Sequence, residues 1–395
     1  MSIFRRHQTR AWDATSLIAA ERSGRTSSRM VRQEQALRHS AVWAARRLRA
    51  DLISTMPVDV YAKVSGVRVE RPTPPVLVEP GASGGPDRVD VTEWLYSTQF
   101  DLDGVGNTVG LVAERDGRNL PARIDLVPID EVTVQVRKGQ VSYRIGGDTY
   151  SDPSLVWHER QFTTSGSPVG LSPIAYAAAS LLGYLSAQEF AADWFSRSGV
   201  PAARLKNTAK KIDAKEAQVV KARFKASVEA GDLFVHGSDW DYEMIAAKAS
   251  ETAFIDAMKF GIGDAARFMG VPGDMLDAET SSGSITYANV TQRNLQLLIL
   301  NIGPAVTRRE KALTRLTPRP WYVKLNSDAL LRMDLASRYA AYGVGIDKRF
   351  LAPSEARALE DSPPFTDEQL AEFAALFPSR SAAVAAPGDT QEGTP

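Results

Sequence analysis

Apolar positions along the chain recur at two different periods, and the changes of period divide it into segments. From His39 to Met56, Val42, Ala45, Leu48, Leu52 and Ile53 fall at helical spacing. Arg46, Arg47 and Arg49 take the rest of the cylinder, which predicts an amphipathic helix. Pro57 stops it, and Val58, Val60 and Tyr61 then read as a strand. From Arg71 to Asp90 prolines and glycines crowd together, the composition of an exposed loop. A helix over Val91–Phe100 is followed by alternation at Val109, Leu111 and Ala113, at Ile124 and Leu126, and at Val132, Val134 and Val136. Turn pairs stand at Asp116-Gly117, Lys138-Gly139 and Gly146-Gly147, so Asp103–Val156 is expected to form one small antiparallel meander.

After Gly170 the period becomes helical. Ser172-Pro173 supplies an N-cap with proline at the first position, and Ile174, Ala178, Leu181 and Leu185 line one face as far as Gly199-Val200-Pro201. A polar insert follows, with a charged helix over Asp213–Ala230 capped by Gly231, a strand-like Leu233-Phe234-Val235 and a turn at Gly237-Ser238-Asp239. Phe254, Met258, Ile262, Ala265 and Met269 then step along another helix, ended by Val271-Pro272-Gly273. Asp274–Ser284 is acidic and rich in small residues, as mobile loops are. A helix resumes at Ile285, carries Pro304 as an expected kink, and gives way to a short strand at Trp321–Leu325. Helical periodicity from Ser327 to Phe377 is interrupted by Pro363-Pro364, and the residues from Pro378 to Pro395 show no periodicity and are expected to be disordered.

Composition narrows what this architecture can do. With 44% hydrophobic residues in 395, the chain can bury a sizeable core. Its 47 basic and 47 acidic residues cancel, so no molecule-wide field draws it to polyanions. The absence of cysteine excludes disulfides and thiolate metal sites and suits assembly in a reducing cytoplasm. The arginine-rich first forty residues read as an arm, either a solvated tail or a strap on a neighbouring subunit. The longest apolar stretch, Leu171–Leu185, is broken by Pro173 and Gly183 and is too short to span a bilayer, so no transmembrane segment is expected.

Catalytic patterns are missing as well. No GxxxxGK[ST] string occurs, and Gly104, Gly106 and Gly110 have the wrong spacing for a dinucleotide loop. His7, His39, His158 and His236 are scattered without the pairing a zinc site needs, and His158 reads as a structural residue at a strand end. Ser172 lacks a GxSxG elbow and serves better as a helix cap. Asp125 and Asp130 stand beside turn signals, where Asp is common for backbone reasons. No catalytic residue, metal or cofactor is therefore expected.

Several strings match, in order, a known pattern. They are Ala41-Val42-Trp43 through Met56-Pro57-Val58-Asp59-Val60-Tyr61, Gly106-Asn107-Thr108, His158 to Arg160 with Gly170-Leu171-Ser172-Pro173-Ile174, and Ser198-Gly199-Val200-Pro201. Further along come Ala266-Arg267-Phe268-Met269-Gly270-Val271-Pro272 with Met275-Leu276, then Thr286-Tyr287-Ala288-Asn289 and Pro353-Ser354-Glu355-Ala356-Arg357. Together they span most of the chain, which resembles the phage portal family of long-tailed double-stranded DNA phages. Thr108-Val109 and the linker Asp277–Ser284 depart from the family's usual text.

The resemblance implies an α+β portal fold with a β-rich wing, two long stem helices, a small α/β clip, a kinked long helix and a helical crown. It assigns residues 41–170 and 285–325 to the wing, 171–200 and 251–270 to the stem, 201–250 to the clip, 271–284 to a tunnel loop and 326–377 to the crown. It also implies a ring, usually of twelve copies, at a capsid vertex of the virion. Its partners would be the major capsid protein, the terminase motor, head–tail adaptors and passing double-stranded DNA, with no membrane. Val271, Pro272, Gly273, Asp274, Met275, Leu276, Asp277 and Glu279 would then face the channel. The basic cluster Arg204, Lys206, Lys210, Lys211 and Lys215 reads either as a solvated helix face or as a docking collar. A DNA-binding or adaptor protein acting without a ring is the alternative, motivated by that cluster.

Overall fold

A computed structural model describes residues 10–13, 33–137, 139–196, 203–209, 211–230, 239–244, 248–276, 287–327, 335–360 and 362–376. The chain divides into two compact units, Met1–Ser327 and Asp328–Pro395. In the first, helix α1 (Ser40–Ser54) is capped by His39, whose Nδ1 accepts from the Ala41 N–H. It runs into a three-stranded sheet, and the N-terminal arm ahead of it adds a strand elsewhere. That arm contributes β1 (Arg10–Asp13), so the strand after α1 is β2 (Val58–Val64), paired with β3 (Val67–Glu70). Helix α2 (Val91–Val105) starts on an Asp90 cap and extends five residues beyond the expected Phe100. Its stop is Gly106, which takes the left-handed conformation that glycine tolerates best. Residues 103–105 therefore close a helix and do not begin a strand.

The expected single meander is two sheets. β4 (Asn107–Arg115) pairs with β5 (Pro121–Leu126), and β9 (Val156–Arg160) returns to the other edge of β4. β6 (Val132–Arg137), β7 (Gln140–Ile145) and β8 (Asp148–Tyr150) form a second sheet, whose outer edge on β6 is covered by β1 of the arm. The break falls at Pro128 and the tight turn Ile129–Glu131, because proline has no N–H with which to continue the ladder from β5. The three turns fall where the sequence placed them. Asp116 accepts from the N–H groups of Arg118 and Leu120, and Gly146 and Gly147 both have positive φ in a two-residue hairpin. The arm is thus not wholly a solvated tail, since residues 10–13 add a strand within their own chain.

The helical half begins with the short turn Pro173–Tyr176 on its Ser172 cap and continues as α3 (Ala178–Ser196). The insert has β10 (Ala203–Asn207) and β11 (Trp240–Met244) paired antiparallel, with α4 (Ala214–Ala230) between them. Alternation in those two strands was not recognised in the sequence, and the strand expected at 233–235 lies outside the described residues. Helix α5 (Lys248–Met269) packs on α3, with Gly261 against Tyr184 and Ser180 donating to Asp264. Ile174, Ala178, Leu181, Ala265 and Met269 are buried together with Val42 and Ala45 of α1. The helix carrying Pro304 comes in three pieces: α6 (Tyr287–Gln296), a π-helical segment Leu297–Ile302 and α7 (Gly303–Thr314). Gly303 N–H bonds to Leu298 O, five residues back, just before the proline that lacks a donor. β12 (Tyr322–Leu325) completes the β2–β3 sheet.

In the second unit, α8 (Leu335–Asp347), α9 (Pro353–Leu359) and α10 (Asp367–Leu376) are joined by polar contacts, a cation–π contact and an edge-to-face ring pair. Arg338 and Tyr342 both bond Glu360, and Arg357 sits 4.0 Å over the Phe365 ring, which meets Phe373. Pro363-Pro364 falls in the break between α9 and α10.

Candidate functional site

Two strings that stand 64 residues apart in the sequence meet where the β4 sheet hands over to the long helices. The Asn107 side chain donates to Val105 O and Gly170 O and accepts from the Gly170 N–H at 2.7 Å and from His158. Ser172, besides capping its helix, donates to Gly104 O. The backbones are so close that a Cβ on Gly106 would overlap Leu171 O, and one on Gly170 would overlap Gly106 O and Gln161 O. Glycine at both positions is therefore a steric requirement. His158 is held between Asn107 and the Tyr143 hydroxyl, and burial pushes its pKa down to about 3, so it is a neutral structural group.

Behind this joint lies a set of buried charges that the helical period did not reveal. Arg46 and Arg49, expected on the polar side of α1, are buried at 0% and 4% exposure. Arg46 donates to Phe100 O from two guanidinium nitrogens and lies 3.7 Å over the Phe100 ring, and burial lowers its pKa to about 10. Arg49 pairs with Asp103 at 3.1 Å, and Asp103 also accepts from Gln161. Arg309 of α7 pairs with Glu159 of β9 at 2.8 Å and donates to Thr98 of α2. Burial raises the Glu159 pKa, opposed by the Arg309 charge. These pairs bind four elements into one polar core. No feature of the sequence around Arg46 or Arg49 marks them, because their partners are contributed by other segments.

The expected channel residues divide into three groups. Val271 is buried in the α1–α3–α5 core, with Met275 and Leu276 packed against it, so the first part of the expected projecting segment is instead an anchor. Its reason is the chain reversal at Gly270, whose φ of +67° puts Val271 back toward α5, with Val271 N–H bonded to Ala266 O. Pro272 and Gly273 lead into the turn Gly273–Leu276, half-buried. Asp274 there is not an unpaired acid, since it pairs with Arg293 of α6 at 3.2 Å. Asp277 and Glu279 lie outside the described residues.

Two residues of the basic cluster lie in the insert's ladder, where β10 and β11 put Arg204 in register with Glu243 and Lys206 with Asp241. Lys206, Lys211 and Lys215 are exposed, and Lys210 lies outside the described residues. Among the described residues no group of three or more His, Asp or Glu side chains stands close enough to hold a metal ion, and no helix is long and apolar enough to cross a membrane.

Large apolar side chains remain exposed on several faces. Phe190 on α3, Phe260 and Phe268 on α5, and Ile299 and Leu300 on the π segment are 38–65% exposed.

The chain resembles a probable portal protein of Streptomyces phage phiC31, with 27% identity over 390 residues, covering 91% of this chain and 82% of that protein. Among solved structures it is similar to an HK97 family phage portal protein from Corynebacterium diphtheriae, with 18% identity, a TM-score of 0.56, and 77% of this chain and 97% of that one covered. It is also similar to a chain in the neck of a native gene transfer agent particle computed with C12 symmetry, with 18% identity, a TM-score of 0.55, and 89% of this chain and all of that one covered. The family model described as phage portal protein matches residues 40–361, from the cap of α1 to the end of α9, and the chain belongs to that family.

Proposed function

We propose that the chain is one subunit of a portal ring at a capsid vertex, through which double-stranded DNA enters and leaves. The observation that carries this reading is the family match over both units, from residue 40 to residue 361. The exposed apolar residues support it physically. A ring needs heterologous contacts, in which one face of a subunit meets a different face of the next. Phe190, Phe260 and Phe268 on the paired helices and Ile299 and Leu300 on the π segment supply apolar material on separate elements.

In this reading α3 and α5 are the stem and the β10–α4–β11 insert is the clip, where the terminase motor and later the head–tail adaptors dock. Residues 271–284 are the tunnel loop, α6 to α7 with the sheets form the wing, and α8 to α10 form the crown. Twelve copies are the expected number, and the major capsid protein surrounds the ring. DNA slides past a surface of mixed charge, because a strongly cationic wall would hold phosphates and stall it. The subunit acts as a conduit, and the work of moving DNA comes from a separate ATP-hydrolysing partner.

Negative-stain images of the purified protein test this. Rings with a central hole are expected. Their absence at every protein and salt concentration, and on addition of the capsid protein, would sink the proposal and leave an adaptor acting without a ring.

A further inference from the structure

The elements on either side of residues 277–286 meet at one buried side chain. At the leading end, α5 stops at Gly270, whose carbonyl is turned out of the helix by the positive φ. That carbonyl accepts from Asn301 Nδ2 at 2.9 Å and, more loosely, from Arg49 Nη1 at 3.4 Å. At the trailing end, α6 leads directly into the π segment that contains Asn301. The Asn301 carbonyl accepts from the same Arg49 nitrogen at 2.9 Å. The other Arg49 nitrogen pairs with Asp103 of α2, which holds Gln161 beyond β9. The Asp274–Arg293 pair adds a second tie between the two ends.

We infer that Arg49 is the positioning residue of the chain reversal over residues 270–276, holding it through the Gly270 and Asn301 carbonyls against the π segment. A planar guanidinium suits the task. It presents donors in fixed directions, so that one group serves two carbonyls while another holds the carboxylate. A lysine ammonium keeps the charge for Asp103 but is a single point and does not span all three acceptors. The π segment presents its Asn301 carbonyl to Arg49 and its Asn301 side chain to Gly270. The reversal over 270–276 is thereby tied to α2 and the β9 sheet, and not only to α5. For the passage of DNA, the inference rests on the reading of 271–284 as a tunnel loop; the clamp itself rests on the contacts alone.

Hydrogen exchange on the assembled full-length protein tests the clamp. Arg49→Lys keeps the charge balance, and Asn301→Ala removes the side-chain bond to Gly270 without disturbing a charge. In both, amides of residues 270–276 are expected to exchange at least about tenfold faster, while those of the β2–β3–β12 sheet keep their rates. Arg309→Lys, in the neighbouring buried pair, is the control: it lowers overall stability without selectively releasing 270–276. Unchanged exchange at 270–276 in both clamp variants would overturn the inference. If Arg49→Lys does not fold, Asn301→Ala decides alone. DNA packaged per particle is read in parallel, with a fall expected for Asn301→Ala. Faster exchange with undiminished packaging upholds the clamp and overturns the channel role of the segment.

Discussion

His39 does three jobs that depend on its being uncharged. Its Nδ1 accepts the Ala41 N–H in the first turn of α1, its ring stacks on Tyr184 of α3 at 3.8 Å, and it is fully buried. Burial pushes its pKa down from the ordinary 6.5 to about 4. In the unfolded chain it regains the ordinary value, so between about pH 6.5 and pH 4 the unfolded state binds more protons. Stability contributed by neutral His39 is therefore complete above pH 6.5 and is lost as pH falls through that window, by up to about 3 kcal/mol. His39→Gln, which keeps an acceptor but cannot titrate, is expected to lose less stability than the unaltered protein between pH 7 and pH 5. Urea midpoints of the two proteins across that range measure the difference, and parallel curves would refute it. The sequence placed His39 at the start of the helix but did not reveal this role, because Tyr184 comes from a helix 145 positions further on in the numbering, by roughly that separation.

At the scale of elements, the buried pairs explain why α2, β9 and α7 hold one arrangement. A buried ion pair contributes little net stability once desolvation is counted, but leaving one charge without its partner costs about 3–5 kcal/mol. Arg309→Met, which strands Glu159, is expected to destabilise by that amount. The double variant Arg309→Met with Glu159→Met is expected to recover most of it, and guanidinium unfolding of the single and double variants tests the pair. The helices themselves were legible: α1, the α5 stripe and the break at Pro363-Pro364 follow from period and proline placement. Pairing was not. Alternation marks a strand but not its neighbour, so two sheets passed for one meander, and β9 lying on β4 across some forty residues left no local trace. Burial of Arg46 and Arg49 escaped for the same reason, since the exposed stripe of α1 is only Ser40, Trp43, Arg47 and Asp51, and the partners that bury both arginines come from α2.

For the whole molecule, charge is the property that bears most directly on DNA. Basic and acidic residues are equal in number, and two residues of the cluster that stood out in the sequence, Arg204 and Lys206, stand in register with Glu243 and Asp241 in the insert's ladder. The assembled protein is expected to bind free double-stranded DNA no more tightly than about 10 µM near physiological salt, with a shallow salt dependence. Fluorescence anisotropy at several salt concentrations measures this, and submicromolar binding with a steep slope would contradict it. The family was legible because its strings are joints: Gly106-Asn107 and Gly170-Leu171-Ser172 are fixed in type by the contact they make with each other. Residues that would face DNA have no such internal partner, so nothing in the fold dictates their spelling, and Val271, Met275 and Leu276 turned out to serve the core.

The two-stranded base of the insert has a further consequence. Antiparallel pairing of Ala203 with Met244 brings the chain back beside the point where it departed, roughly 5 Å away. Everything beyond that rung is a detour that the two long helices need not register. The insert is in this sense a cassette, whose length can change without moving the two helices that carry it.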